Sequence, residues 1–268
     1  MPLYMLILVA LVQGITEFLP VSSSGHLILI SELSTLPDQG QTIDVAVHVG
    51  TLFAVVLFFW SDVKLGLAGI PRMVTGRIDT PGSKLAFLLM IATIPAILLG
   101  LFLKLTGLND AMRSMAVIGW TMLLFGLVLW WADQRGATRK QSADWSTADA
   151  IKMGLAQAIA LIPGTSRSGI CITAGRWLGY TRHDSAKLAM LMSIPTIFAS
   201  GALLGAEVIA TGDTVVARSA ATAAALAFVA ALLALQFMMR LLRSVSFTPY
   251  VIYRVILGAF LLWLAYTQ

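Results

Sequence analysis

The chain is short of charged residues. Asp, Glu, Lys and Arg make up only 12% of its 268 residues, whereas hydrophobic residues make up 58% and the mean hydropathy is +0.87. A soluble domain needs roughly a quarter of its residues charged to cover its surface. The deficit excludes a soluble domain and predicts an all-α polytopic membrane protein, built as a single membrane domain over residues 1–268.

Cysteine is almost absent as well. The one cysteine, Cys171, excludes an internal disulfide and offers no thiolate cluster for a metal, so we interpret it as a small buried apolar residue. The net charge of +5 is interpreted as loop charge that sets membrane topology, and no nucleic acid partner is expected. The first residues lack the basic region and cleavage site of a signal peptide, so we expect them in the mature fold.

Six apolar stretches are long enough to cross a membrane, which takes roughly 20 helical residues. They run over residues 43–60, 85–103, 114–132, 188–210, 215–239 and 248–267. Two further apolar regions, about 1–36 and 149–180, are interrupted by Pro, Gly, Ser and Thr. Non-helical backbone is tolerated at membrane depth only where protein buries it or where it lines a wet cavity. Both regions therefore predict re-entrant, broken helix pairs.

Basic residues collect on one side of this predicted bundle. Thirteen of them lie in segments 61–84, 133–152, 176–187 and 240–243, and the opposite loops hold three. The positive-inside rule places the richer side in the cytoplasm. Both termini and the mouth of the first broken region are then expected on the outer side.

The two broken regions also resemble each other. LVQGITEFLPVSSSG, from Leu11, aligns with LAQAIALIPGTSRSG, from Leu155, with six identities in fifteen positions. The repeat predicts halves of approximately 1–132 and 149–268, joined by a cytoplasmic loop, 133–148. Each half holds one re-entrant pair and three spans, and because three is odd the second half must be inverted. Inverted repeats with broken helices mark a binding site near the membrane midplane.

The first copy carries the polar groups of such a site. Gln13 and Glu17 lie on one helical face, and Pro20 stops the helix before VSSSGH starts another. A helix start offers unpaired N–H groups and a favourable dipole to an anion. The new helix adds hydroxyls, a residue that allows close backbone approach and a group that could shuttle a proton, namely Ser22, Ser23, Ser24, Gly25 and His26.

The second copy, PGTSRSG at 163–169, repeats the helix start and replaces the middle serine by Arg167. An arginine at membrane depth is costly and usually marks a function or a partner. Its guanidinium group matches phosphate oxygens in geometry and charge. If the two loops meet, they favour a phosphate group, and the substrate-binding candidates are Gln13, Ser22, Ser24, Gly25, Thr165, Ser166, Ser168 and Gly169.

Each candidate also has a structural interpretation. The serines could cap helices, Arg167 could pair with Glu17 only to hold the fold, His26 could be a packing residue, and Gln13 could join two helices. Three further polar residues are expected to be structural: Asp44 and His48 at an interface or the outer entrance, and Arg254 as a snorkelling or paired side chain.

Gln13 to Glu17 running into FLPVSSSGH matches a Glu/Gln-x-x-x-Glu motif. Together with PGTSRSG it closely resembles the bacterial undecaprenyl-diphosphate phosphatase family, the bacitracin-resistance type of integral membrane phosphatase. DVAVHVGTLFAVV and LAMLMSIPTIFASG extend the resemblance to nearly the whole chain. The resemblance implies hydrolysis of undecaprenyl diphosphate in the bacterial inner membrane, which recycles the lipid carrier for peptidoglycan and other envelope polymers. It implies a polyprenyl diphosphate substrate and membrane lipids as partners, and leaves a homodimer open.

The same resemblance implies roles for single residues. Ser23 matches the proposed nucleophile, Glu17 and His26 the acid/base and orienting groups, and Arg167 the phosphate clamp. Gln13 and Glu17 match the pair linked to a divalent cation, Mg²⁺ or Ca²⁺. Because position 13 is Gln here, one carboxylate remains, and a bound cation should depend more on Glu17 and on the diphosphate oxygens.

Two alternatives stay open at this point. Water could attack the phosphorus directly, with Glu17 or His26 as base and Ser23 only as a ligand. The inverted repeat also suits a transporter or flippase of lipid phosphates, alone or in addition to a phosphatase.

Overall fold

The computed structural model describes residues 3–33, 41–108, 112, 114–211 and 214–267, and within these residues the chain is helical without a strand. The helices are α1 (Leu3–Thr16), α2 (Ser23–Leu33), α3 (Gln41–Phe58), α4 (Trp60–Val74), α5 (Pro81–Thr106), α6 (Met115–Arg135), α7 (Thr147–Ile159), α8 (Arg167–Trp177), α9 (Arg182–Thr211), α10 (Thr214–Leu241) and α11 (Thr248–Thr267). By length and hydropathy α5, α6, α10 and α11 can each cross a membrane. The chain is therefore an all-α, multi-pass membrane protein, as predicted.

The predicted spans 43–60 and 188–210 correspond to α3 and α9. Beyond Phe58 the chain bends by 92° into α4, which the sequence analysis treated as part of a loop. α4 contains the basic residues Lys64 and Arg72, and its 15 residues are too few to cross a membrane. The glycine face of α4 instead packs against the start of α5, where Gly69 lies against the backbone of Gly82.

The first broken region enters and leaves at one end of the bundle. Met5 and Val9 of α1 pack against Ala223, near the start of α10. Ile28 of α2 packs on the α6–α11 pair near Ile118, close to the start of α6. The chain thus descends along α10, breaks between α1 and α2, and returns along α6.

The second broken region enters from the opposite end. The Gln157 amide of α7 donates to the backbone oxygen of Ala92, in the middle of α5, at 3.2 Å. After the break, α8 returns to its own side, where Arg176 donates to Asp133 at 3.1 Å. Opposite directions for the two pairs are what an inverted repeat requires, whereas the boundaries of the two halves stay a prediction.

The basic segments meet at this second end. Asp133, whose side chain is fully buried, accepts hydrogen bonds from Arg176 and from the Phe247 N–H. Lys187 forms an ion pair of 2.7 Å with Asp62. All four segments rich in Lys and Arg therefore share one end of the molecule, and the break between α1 and α2 lies deep in the bundle, reached from the other end.

Candidate functional site

The loop between α1 and α2 lies in the interior of the bundle. Pro20 has no N–H to continue a helix, and Ser22 takes a left-handed conformation with φ 72°. Phe18 and Val21 are buried in the main hydrophobic core and anchor the loop. The start of α2, at Ser23, is consequently held inside the protein.

The loop between α7 and α8 has the same local geometry. Ser166 has φ 70°, and its Oγ lies 3.1 Å from Ser168 Oγ. In the first loop Ser22 Oγ lies 3.0 Å from Ser24 Oγ. The sequence repeat therefore corresponds to a repeated backbone turn that starts a helix inside the bundle.

The structure brings the two loops into direct contact. The Gly164 N–H donates to Ser24 Oγ at 3.1 Å, and Ser168 Oγ donates to the Leu19 oxygen at 3.1 Å. Each loop thus uses a serine to bind the backbone of the other. These serines hold the two helix starts side by side.

Arg254 of α11 lies beneath both loops and is fully buried. Its guanidinium donates to the backbone oxygens of Pro20, Gly164 and Thr165 at 3.4, 3.1 and 3.0 Å. Within the described residues it has no carboxylate partner. An arginine within an apolar span is costly to bury, and this much is visible in the sequence. The sequence could not show that Arg254 forms hydrogen bonds with both loops.

Glu17 is the centre of the site. Its Oε1 accepts a hydrogen bond of 2.6 Å from Arg167 Nη2. Its Oε2 accepts from Ser23 Oγ at 3.0 Å and from Gln13 Nε2 at 2.9 Å. Four residues that the sequence analysis singled out, from two distant segments, therefore meet at one carboxylate.

A cavity of about 430 Å³ opens above this carboxylate. Its polar lining from the two loops is Glu17, Ser22, Ser23, Ser24, Ser166 and Arg167. Asp44 and His48, in the first half of α3, and Gly201, in the second half of α9, form other walls. These parts of α3 and α9 lie away from the basic end, so the cavity extends toward the opposite end.

The structure does not bring His26 to Glu17 or to the cavity wall. His26 Nδ1 donates to the Ser22 oxygen at 2.7 Å, and Nε2 lies 2.6 Å from the Tyr253 hydroxyl. The imidazole also stacks on the Tyr253 ring, with centroids 5.5 Å apart. Because a carbonyl oxygen only accepts, Nδ1 carries a proton, and in the neutral imidazole Nε2 accepts from the tyrosine hydroxyl. In this arrangement His26 ties the start of α2 to α11.

His48 is the histidine that faces the cavity. Its Nε2 lies 3.8 Å from Glu17 Oε2, and its Nδ1 donates to the Asp44 oxygen at 2.6 Å. The sequence predicts a structural or interfacial role for His48 and Asp44, whereas the structure places both in the cavity lining. Their spacing of four residues, which puts both on one face of α3, was the available signal.

Five predicted binding residues do not line the cavity, and one of them, Gln13, is buried beside Glu17. Thr165 and Ser168 are fully buried. A methyl group added at Gly25 would lie 2.7 Å from Met122 Sδ, and one at Gly169 would lie 2.9 Å from Arg254 Nη1. The other four shape the loops from behind, and a direct contact with substrate stays a prediction for all five.

A divalent cation would find an incomplete ligand set here. Gln13 Oε1 is buried without a hydrogen-bond partner. Gln13 lies one helical turn before Glu17 and donates to its carboxylate through Nε2. No group of three His, Cys, Asp or Glu residues with metal-binding geometry occurs in the described part of the chain. The oxygens of Gln13 and Glu17 fit a hard cation only if a ligand such as a phosphate group completes the coordination.

Comparison with known proteins identifies the family of this chain. The family model of the bacitracin resistance protein BacA matches residues 6–260. A protein of Jannaschia sp. (strain CCS1) named undecaprenyl-diphosphatase is 70% identical over 99% of this chain and all of its own length. One from Ruegeria pomeroyi with the same name is 68% identical over the full length of both chains. Undecaprenyl-diphosphatase 1 of Rhodospirillum rubrum is 46% identical over 99% of this chain and 96% of its own. The chain belongs to the BacA family.

Proposed function

We propose that this protein hydrolyses undecaprenyl diphosphate to undecaprenyl phosphate and inorganic phosphate, and so recycles the lipid carrier of envelope polymers. The observation that carries the proposal is the position of Glu17, bonded to the Ser23 hydroxyl on one oxygen and to Arg167 on the other. The names of the relatives supply the substrate.

The cavity suits the terminal phosphate of such a lipid. Two helix starts, α2 and α8, direct N–H groups and positive dipole ends to the same place. Arg167 adds a guanidinium whose side chain is 14% exposed, enough to reach a ligand from the cavity wall. Phosphoryl transfer needs mainly this positioning and charge neutralisation of the phosphate oxygens.

The charge of a diphosphate favours a cation beside the arginine. Arg167 already pairs with Glu17 at 2.6 Å, so the added negative charge of the substrate would exceed what this guanidinium can neutralise. Glu17 and Gln13 would hold the cation, with diphosphate oxygens as the remaining ligands. A bound cation there would neutralise charge on the phosphate oxygens.

In the proposed reaction Ser23 is the nucleophile and Glu17 is its base. Ser23 Oγ attacks the terminal phosphorus while its proton passes to Glu17 Oε2, 3.0 Å away. The bond from that phosphorus to the bridging oxygen breaks, and undecaprenyl phosphate leaves with the electron pair. Water then attacks the phosphoserine, releases inorganic phosphate and restores the hydroxyl of Ser23.

Direct attack by water is the second mechanism that the same geometry supports. Glu17 would then take the proton from water, and Ser23 would only bind a phosphate oxygen. The two mechanisms differ in whether a phosphoserine forms. Brief reaction with substrate labelled at the terminal phosphate, followed by acid quenching, separates them because only the first leaves label on the protein.

We further infer that the basic end faces the cytoplasm of a bacterial plasma membrane and that the cavity opens to the outer side. A cysteine in place of Ser142, in the basic end, should be shielded from an impermeant thiol reagent in intact cells. One in place of Thr106, at the far end of α5, should react. The opposite pattern would reverse this orientation.

The decisive experiment is phosphate release from undecaprenyl diphosphate by the purified protein, with and without EDTA. Wild type should release phosphate, whereas Ser23→Ala, Glu17→Gln and Arg167→Ala should each lose at least about a hundredfold in kcat/KM. Arg72→Ala, on the exposed surface of α4, serves as the control. Movement of lipid phosphate between leaflets of a vesicle without phosphate release would support the transporter alternative instead.

A further inference from the structure

An apolar groove of about 560 Å³ lies between α5 and α9. Met90, Ile94 and Ile97 line it from α5, and Ile194 and Phe198 line it from α9. The lining contains two polar side chains that could interact with a ligand, and both are occupied. Asp62 pairs with Lys187 at 2.7 Å, and Thr93 Oγ1 donates to the Leu89 oxygen at 2.7 Å. The groove therefore offers a ligand only hydrocarbon contacts.

The groove adjoins the candidate catalytic cavity. On α5, Ala96 lines the cavity and the next residue, Ile97, lines the groove. On α9, Ile197 lines the cavity and Phe198 lines the groove. The two spaces thus lie on neighbouring faces of α5 and α9, and these two helices form the partition between them.

A proline lies in each helix at the level of this partition, Pro95 in α5 and Pro195 in α9. Proline removes one backbone hydrogen bond from the helix and crowds the preceding turn. Each helix therefore lacks one backbone hydrogen bond at the level where a hydrocarbon chain would have to pass between the cavity and the groove.

We propose that this groove holds the isoprenoid chain of the lipid diphosphate while its phosphates lie at Arg167. The assignment rests on the function proposed above. The cavity that takes the head is polar on the side of the two loops, so the hydrocarbon must leave it, and the apolar surface next to it begins at Ile97 and Phe198. Hydrocarbon is placed more favourably against this apolar surface than against the polar lining of the cavity.

The position of α4 favours this occupant over an ordinary membrane lipid. Leu67, Ile70 and Val74 of α4 line the groove at the basic end. α4 therefore lies between the groove and the lipid headgroups of the leaflet at the basic end. A chain that enters from the cavity side and is longer than one leaflet can fill the groove from within the bundle.

The test uses a substitution that narrows the groove at a residue that does not line the cavity. Ile94→Trp places a larger ring in the groove, and Leu124→Trp, at a lipid-exposed position on α6, is the matched control. Undecaprenyl diphosphate and the short-chain farnesyl diphosphate are compared as substrates. We expect Ile94→Trp to lower kcat/KM for undecaprenyl diphosphate about tenfold or more while hydrolysis of farnesyl diphosphate and both activities of Leu124→Trp stay near wild type.

An equal loss with both substrates, or no loss with the long one, would overturn the assignment. Failure of wild type to release phosphate from either substrate would refute the proposed function instead. Binding gives a readout that does not depend on hydrolysis. A polyprenyl phosphate with a photoreactive group near the end of its chain should label α4, α5 or α9 in the Ser23→Ala protein. Labelling that an excess of undecaprenyl phosphate leaves unchanged, or labelling confined to other helices, would contradict the proposal.

Discussion

Ser22 and Ser166 have nearly the same positive φ, 72° and 70°. Each precedes a helix that starts inside the bundle, and each contacts the serine two residues later through Oγ. A non-glycine residue at positive φ costs roughly 1–2 kcal/mol. Such strain persists where the surroundings over-determine the backbone, and it concentrates at functional sites. The two turns are thus held by the contact between the loops.

The first prediction concerns this strain. Ser166→Gly should leave the thermal stability close to wild type, because glycine accepts positive φ freely and replaces a helix cap at a cost of only a few tenths of a kcal/mol. Ser166→Val should lower stability by roughly 2 kcal/mol, since it loses the cap to the Gly169 N–H and places a β-branched residue at positive φ. Thermal unfolding in detergent, followed by tryptophan fluorescence, measures both. Equal melting of the two variants would show that the turn is not strained.

The second prediction separates stability from activity at Glu17 and Arg167. Arg167→Ala leaves a carboxylate that is 9% exposed without its cation and should cost about 3–5 kcal/mol of stability. The double variant Glu17→Gln with Arg167→Met removes both charges and should recover most of that loss, yet remain without activity. If the double variant melts as low as Arg167→Ala, the unpaired charge is not the cause of the instability.

The sequence predicted more of the fold than of the site. The length of the apolar runs predicted the spans, their interruption predicted the re-entrant regions, and the sequence repeat predicted the contact between the loops of these regions. These features are predictable because a membrane requires a continuous run of apolar residues and hydrogen-bonded backbone, which can be recognised along the chain. The bend at Phe59 was missed because the sequence of α4 contains charged residues, two glycines and a proline, which are typical of a loop. The position of His48 was missed because α3 meets the loops only after packing, and one helix face looks like another until its partner is known.

The third prediction tests the role of His26. Because its two nitrogens bond Ser22 and Tyr253, we expect a positioning role at the start of α2. His26→Ala should lower kcat several-fold or more, and His26→Gln, which can form hydrogen bonds but cannot exchange a proton near neutral pH, should restore a large part of it. Tyr253→Phe should reproduce a part of the alanine defect. An equal loss of activity in His26→Gln and His26→Ala would instead assign proton transfer to the imidazole.

The fourth prediction concerns Gln13, whose amide donates to Glu17 Oε2 at 2.9 Å. Gln13→Glu replaces the amide that donates to Glu17 by a second carboxylate, so the pair repels unless a cation or a proton lies between them. The variant should reach half-maximal activity at a lower concentration of Mg²⁺ or Ca²⁺ and should melt higher when the cation is added. Gln13→Ala, which removes both the donor and the oxygen, should need more cation than wild type. A cation requirement that is the same in all three proteins would exclude residue 13 as a ligand.

The last prediction concerns Arg254, which donates to the backbone of both broken loops without touching the cavity. Removal of the guanidinium leaves the oxygens of Pro20, Gly164 and Thr165 buried without this donor, and each unsatisfied group costs about 1–3 kcal/mol. Arg254→Met should therefore lower both the melting temperature and kcat/KM.

Gly169→Ala should reproduce a milder form of the same defect, because its methyl group would press on Arg254 Nη1. The matched control is Gly100→Ala, at a helical glycine of α5 whose added methyl group would meet only Leu161 Cδ1 within 4 Å, at an ordinary contact distance of 3.7 Å. Arg254 braces the loops only if loss of activity follows loss of stability across these variants. An Arg254→Met protein that melts like wild type but cannot bind phosphate would place the arginine among the substrate ligands instead.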